Sequence, residues 1–186
     1  AVADTGFDTD HAFIKDRYKD GCNFLEKGTP PEDDGGHGTH IAGIITDMTL
    51  PSVKIMPLKV GSYSSIYSSC VIEAIPYAIE HNAVAINMSF GDLGRNAVME
   101  AAIEKAYQQG VVCVAASGNA GTNADYYFPA NIVQTLTVSN VQQIGGGVDL
   151  NYMSNTGRTL DLAAPGTYIV SSAVNGGMTT MSGTSM

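Results

Sequence analysis

Short, β-branched apolar runs alternate with stretches of helical periodicity along this chain, and that alternation limits its fold more than any other feature. Residues 53–60 (VKIMPLKV), 83–90 (AVAINMSF), 111–116 (VVCVAA) and 132–141 (IVQTLTVSNV) read as strands bounded by Gly, Ser, Asn or Pro. Between them, residues 70–80 repeat Val71, Ile75 and Ile79 at helical spacing, with Pro76 expected to kink the helix or mark an irregular turn. Residues 97–109 repeat Val98, Ala102 and Ala106, with Asn96 as N-cap and Gly110 as C-cap. Strand, helix, strand, helix, strand predicts right-handed crossovers and a mostly parallel α/β sheet with helices on both faces, a three-layer arrangement. Nearer the C-terminus, Gly145 to Gly147 predict a hairpin within residues 141–152, and residues 160–164 and 168–172 read as short strands around Pro165-Gly166.

The composition excludes several functions. With 186 residues, 44% of them hydrophobic and 15% charged, the chain has the material for one core and lies outside disordered compositions. Nine basic against 18 acidic residues give a net charge of −9, and no basic block exists, so a nucleic-acid partner is not expected. Nor is there an apolar run long enough to be a membrane segment, or a signal peptide at Ala1. Cys22, Cys70 and Cys113 form no CxxC pair, which points to simple buried thiols.

In a parallel sheet, chemistry gathers beyond the carboxyl ends of the strands. Those segments here are DTG (4–6), SFGD (89–92) and SGNAG (117–121), and four polar residues stand out along the chain: Asp4 in DTG, His37 in HGTHIAG before a helical run from Ile41, Asn119 in SGNAG, and Ser185 in SGTSM at the chain's end. Each alone reads as a cap, a turn or a satisfied structural residue. Their joint occurrence points to nucleophilic catalysis, because a serine hydroxyl becomes a useful nucleophile when a histidine can take its proton.

In this light the chain resembles the subtilisin-like serine proteases, or subtilases (peptidase family S8). The resemblance rests on DTG (4–6), HGTHIAG (37–43), INMSFG (86–91), ASGNAG (116–121), LAAPG (162–166) and GTSM (183–186), in family order from one end of the chain to the other. It implies a serine endopeptidase in which Asp4 orients His37, His37 acts as the base for Ser185, and Asn119 supplies an oxyanion-hole donor with the Ser185 backbone N–H. The order Asp, His, Ser is the one known in subtilisin. By the same resemblance, Ser89, Phe90, Gly91, Asp92, Ser117 and Gly118 wall the pocket for the substrate residue before the scissile bond. Asp92 stands where many members have a small residue, and with Asp33 and Asp34 it suggests a preference for Lys or Arg there.

The expected partners are a peptide or protein substrate and an inhibitory propeptide, and the resemblance favours an extracytoplasmic location. No cofactor is required for the chemistry. Many subtilases bind structural calcium, but the position aligned with the usual carboxylate ligand is Phe13, leaving Asp8, Asp10 and Asp16 as candidate oxygen donors. His37 and His40 have HxxH spacing without the HExxH of a zinc hydrolase. Two other functions stay open: a catalytically silent subtilase-like fragment that binds a peptide or partner, and a nucleotide-binding domain, although GxGxxG and GxxxxGK[ST] are missing.

The sequence starts three residues before Asp4 and ends one after Ser185, so residues 1–186 are expected to be the incomplete, central portion of a single catalytic domain. A missing helix burying five or so large apolar side chains would forfeit about 10 kcal/mol, against a total stability of about 5–15 kcal/mol. The isolated 186 residues should therefore unfold readily or expose an apolar groove. A cooperative, monomeric transition at high temperature would contradict this expectation.

Overall fold

A computed structural model describes residues 1–186, which fold into two compact units: residues 1–86 with 170–179, and residues 87–169 with 180–186. The elements of the first are β1 (Val2–Asp4), β2 (Cys22–Asn23), α1 (His37–Met48), β3 (Pro57–Lys59), β4 (Gly61–Ser62), β5 (Ser65–Ile66) and α2 (Ser68–Glu80). Strand β6 (Ala85–Met88) leads into the second, which holds β7 (Asp92–Leu93), α3 (Ala97–Gln108), β8 (Val112–Ala116), β9 (Tyr127–Phe128), β10 (Thr135–Ile144), β11 (Gly147–Leu150) and β12 (Leu162–Pro165). Strands β13 (Ile169–Ser172) and β14 (Met178–Met181) follow.

In the first unit β3 lies between β1 and β2, parallel to both, with Asp4 in register with Lys59 and Cys22 with Leu58. The expected strand over 53–60 is regular only from Pro57. Proline has no N–H to give to a ladder and is tolerated at a strand's first residue. Helix α1 packs on β1 and starts at His37 itself, four residues before the expected apolar run. Helix α2 passes through Pro76 and buries Val71, Ala74, Ile75 and Ala78, while Ile79 is only half-buried.

The second unit is built on β10, which pairs in parallel with β8 and β12 and turns through Gly145-Gly146 into an antiparallel hairpin with β11. Both units thus carry the expected parallel strands and helices. Helix α3 packs on β8 and is capped by Asn96, whose Oδ1 accepts from Met99 N at 3.1 Å. Gln109 is the C-cap and Gly110, at φ 77°, follows it. The buried face of α3 is Met99, Ile103 and Ala106, whereas Val98 is 61% exposed. Ala106 is buried as expected, but the other two positions lie one residue on, at Met99 and Ile103, which places larger apolar side chains in the core. Cys113 is buried, which pushes its thiol up to about 11, and Cys22 and Cys70 are half-buried and unpaired. No helix is long and apolar enough to cross a membrane.

One close approach sets where α1 begins relative to β1. A Cβ on Gly38 would lie 2.1 Å from the Gly6 carbonyl oxygen and 3.2 Å from the Asp4 Cβ, so only glycine lets the helix start this near the strand's end. Gly38→Ala is expected to cost about 1–3 kcal/mol, the usual penalty of overpacking, in denaturant unfolding. An unchanged midpoint would show that the approach is not tight.

Candidate active site

Asp4 ends β1 and is 1% exposed; its Oδ1 accepts from Thr5 N at 2.8 Å. His37 opens α1 and turns Nδ1 to that carboxylate, 2.8 Å from Oδ1 and 2.9 Å from Oδ2. An ionised carboxylate only accepts, so Nδ1 carries the proton and the neutral ring keeps its lone pair on Nε2. Burial opposes protonation of His37, but the hydrogen bond and charge of Asp4, joined by the charge of Asp33, outweigh it and raise its pKa above the ordinary 6.5.

Asp33 and Lys59 hold this pair in place. Asp33 is buried and accepts five hydrogen bonds, from Thr5 Oγ1, Gly35 N, Gly36 N, Thr39 N and Thr39 Oγ1. It thereby joins the loop after β1 to the N-terminus of α1, where a negative charge also suits the helix dipole. Thr5 Oγ1 in turn accepts from Gly38 N at 3.1 Å. Lys59, also buried, donates to the carbonyls of Thr5 at 2.7 Å and Glu32 at 2.8 Å and pairs with Asp34 at 3.0 Å. Asp34 further accepts from Ser62 Oγ and Tyr63 N. Asp33 is thus tied to the loop and the start of α1, and Asp34, which stays exposed, to Lys59, Ser62 and Tyr63.

The second unit gathers the remaining site residues. Ser185 Oγ donates to the Ser89 carbonyl at 3.0 Å, and Ser89 Oγ donates to the Ser185 carbonyl at 2.9 Å. Asn119 is exposed, and its Oδ1 accepts from Thr184 N at 2.8 Å, which leaves Nδ2 as the donor end. Gly118 N donates to Thr184 Oγ1 at 3.1 Å. Ser117 is buried, Phe90 half-buried, and Gly91 and Asp92 exposed, with Asp92 paired in β7 opposite Phe128. The structure thus brings Asp4 and His37 together in one unit, and Ser89, Ser117, Gly118, Asn119 and Ser185 together in the other.

Phe13 is 43% exposed and offers no side-chain oxygen, Asp8 accepts from Asn175 N, and nowhere do three His, Cys, Asp or Glu side chains gather as a metal site. His37 and His40 share α1, where the His40 carbonyl accepts from Ser171 Oγ. Lys59 and Asp33 escaped the sequence reading as supports of the Asp4–His37 pair. The one visible signal was a lysine, Lys59, between Leu58 and Val60 in an apolar run.

The sequence profile of the subtilase family matches residues 1–186. Thermitase of Thermoactinomyces vulgaris is 32% identical over 197 residues, covering all of this chain and 69% of that protein. Subtilisin E of Bacillus subtilis (strain 168) is 33% identical over 199 residues, again covering the whole chain but 51% of the relative, about half its length. Among solved structures, a cold adapted subtilisin-like serine proteinase superposes with a TM-score of 0.90 at 32% identity, covering 100% of this chain and 68% of that one. The chain therefore has a subtilisin-like α/β fold.

Lys59→Met keeps the apolar stem but strips the Thr5 and Glu32 carbonyls of their donor and Asp34 of its cation. It should cost about 2–4 kcal/mol in denaturant unfolding. A loss below about 0.5 kcal/mol, the range of ordinary surface substitutions, would deny Lys59 its bracing role.

Proposed function

Because this chain belongs to the subtilase family, the subtilisin-like serine endopeptidases, we propose that it hydrolyses peptide bonds in peptide or protein substrates through an acyl-enzyme on Ser185. The observation that carries this reading is the Asp4–His37 pair, with Nδ1 2.8 and 2.9 Å from the two carboxylate oxygens; a proton held there leaves Nε2 to act as the general base.

In the proposed reaction, Ser185 Oγ gives up its bond to the Ser89 carbonyl and attacks the substrate carbonyl carbon while His37 Nε2 takes its proton. Asp4 remains ionised, holds Nδ1–H and stabilises the imidazolium. The tetrahedral oxygen accepts from Asn119 Nδ2 and Ser185 N. His37 then protonates the leaving amine; water attacks the acyl carbon as His37 takes its proton, and His37 returns that proton to Ser185 Oγ as the ester bond breaks and the acid leaves. Substrate lies extended, with Ser89, Phe90, Gly91 and Asp92 on one side of the specificity pocket and Ser117 and Gly118 on the other. No cofactor enters any step. A propeptide occupying the same cleft belongs to this proposal.

Three outcomes are expected. A serine-directed covalent inhibitor should label Ser185 and abolish proteolysis, and proteolysis that survives Ser185→Ala would contradict the assignment. Asn119→Leu should lower kcat by about 10²- to 10³-fold, the loss known for this type of donor in a subtilisin, and unchanged turnover would remove Asn119 from the site. The third concerns pH. His37 must be neutral to act as base, so kcat/KM should rise with a midpoint above 6.5, and Asp4→Asn should move that limb to lower pH while reducing kcat. The same raised pKa adds stability below the unfolded-state value, lost as pH rises through the folded-state value. An acid limb that Asp4→Asn does not move would break the link between the two residues.

A further inference from the structure

Asn119 is exposed, and the side-chain bond that holds its amide is the one from Thr184 N to Oδ1. A single bond at one end of an amide does not fix where the other end points. That direction depends on the backbone of the loop after β8, and there one buried side chain reaches both flanks of Asn119.

Asn155 is 0% exposed. Its Nδ2 donates to the Ser117 carbonyl at 2.9 Å, and its Oδ1 accepts from Ala120 N at 3.0 Å and Thr122 N at 3.1 Å. The backbone N of Asn155 donates to the Gly118 carbonyl at 2.8 Å, and its carbonyl accepts from Ser117 Oγ at 3.3 Å. One residue thus binds the backbone at positions 117, 118, 120 and 122, on both sides of the exposed Asn119. Gly118 shows how closely the two fit: it sits at φ 101°, and a Cβ there would lie 2.3 Å from Asn155 Nδ2.

We propose that Asn155 is a positioning residue of the oxyanion hole, holding the 117–122 backbone so that Asn119 Nδ2 meets the developing negative oxygen. This rests on the peptidase reading above and adds to it the group that makes its donor rigid. Such donors accelerate a reaction only when they are aimed before charge develops, and a shift of about 1 Å can cost on the order of 100-fold in rate. Asn155 touches no reacting atom and acts entirely through Asn119.

The test is a kinetic double-mutant cycle in the full-length protein, with Asn155→Ser, Asn119→Leu and the pair, each shown to be folded by near-ultraviolet circular dichroism. Asn155→Ser should lower kcat by about 10- to 100-fold with KM changed by less than about twofold, the pattern of a contact that matters in the transition state. In the Asn119→Leu background the same change should lower kcat by less than about twofold, because the donor it positions is already gone. Equal losses in both backgrounds, a loss carried by KM, or full activity of Asn155→Ser would each overturn the inference. If Asn155→Ser does not fold, Asn155→Asp, which keeps the oxygen accepting from Ala120 and Thr122, enters the same cycle under the same criterion of coupling to Asn119. Should Asn119→Leu itself leave kcat unchanged, the oxyanion reading fails first and this inference with it. If Asn119→Leu is slow and Asn155→Ser is not, this inference alone fails.

Discussion

The bond from His37 Nδ1 to the Asp4 carboxylate, 2.8 Å long and almost closed to water on the aspartate side, is what the proposed chemistry depends on. An imidazole is a general base only while its proton stays on the far nitrogen, and a carboxylate keeps it there only if neither group can turn. The first unit meets that condition with backbone. Strand β1 delivers Asp4, α1 delivers His37, and Gly38 lets the two elements approach almost to contact. Asp33 and Lys59 then tie the loop between them to the helix N-terminus and to β3.

The second unit follows the same physical rule with other groups. In the proposed mechanism Ser185 and Asn119 must be accessible to a substrate, so neither can be held by burial. Their positions come from neighbours that are buried: Ser89 exchanges two hydrogen bonds with Ser185, and Asn155 grips the loop on both sides of Asn119. A buried polar side chain with every group satisfied is a precise brace, because breaking any one bond leaves an unpaired donor or acceptor in a low-dielectric interior. Reactive groups at the surface and satisfied polar groups beneath them are two halves of one design.

Much of this was legible in the amino-acid order, and the failures have specific causes. The alternating periods revealed the parallel α/β class, the Asn96 cap and the Gly145-Gly146 hairpin, since each depends on local chemistry. Two of the three α3 positions were misplaced by one residue because Val98-Ala102-Ala106 and Met99-Ile103-Ala106 both have helical spacing, and only packing on β8 favours the second set. The start of the 53–60 strand was misread because apolar content does not report where ladder bonds begin. The motifs singled out Asp4 and His37, which the structure joins by hydrogen bonds, and Asn119 and Ser185, which lie in the other unit. They did not reveal Asp33, Lys59 and Asn155 as braces, because a brace is defined by what it reaches: Lys59 reaches back 54 residues to Thr5, and Asn155 back 38 to Ser117.

The central claim is that Asp4 keeps the proton of His37 on Nδ1 and leaves Nε2 free to act as the base. Nitrogen-15 NMR of imidazole-labelled protein reports that tautomer directly. At a pH above the His37 titration, Nδ1 should appear as the protonated, hydrogen-bonded nitrogen and Nε2 as the unprotonated one, with the preference lost in Asp4→Asn. A wild-type spectrum with the proton on Nε2, or one unchanged by Asp4→Asn, would contradict the account.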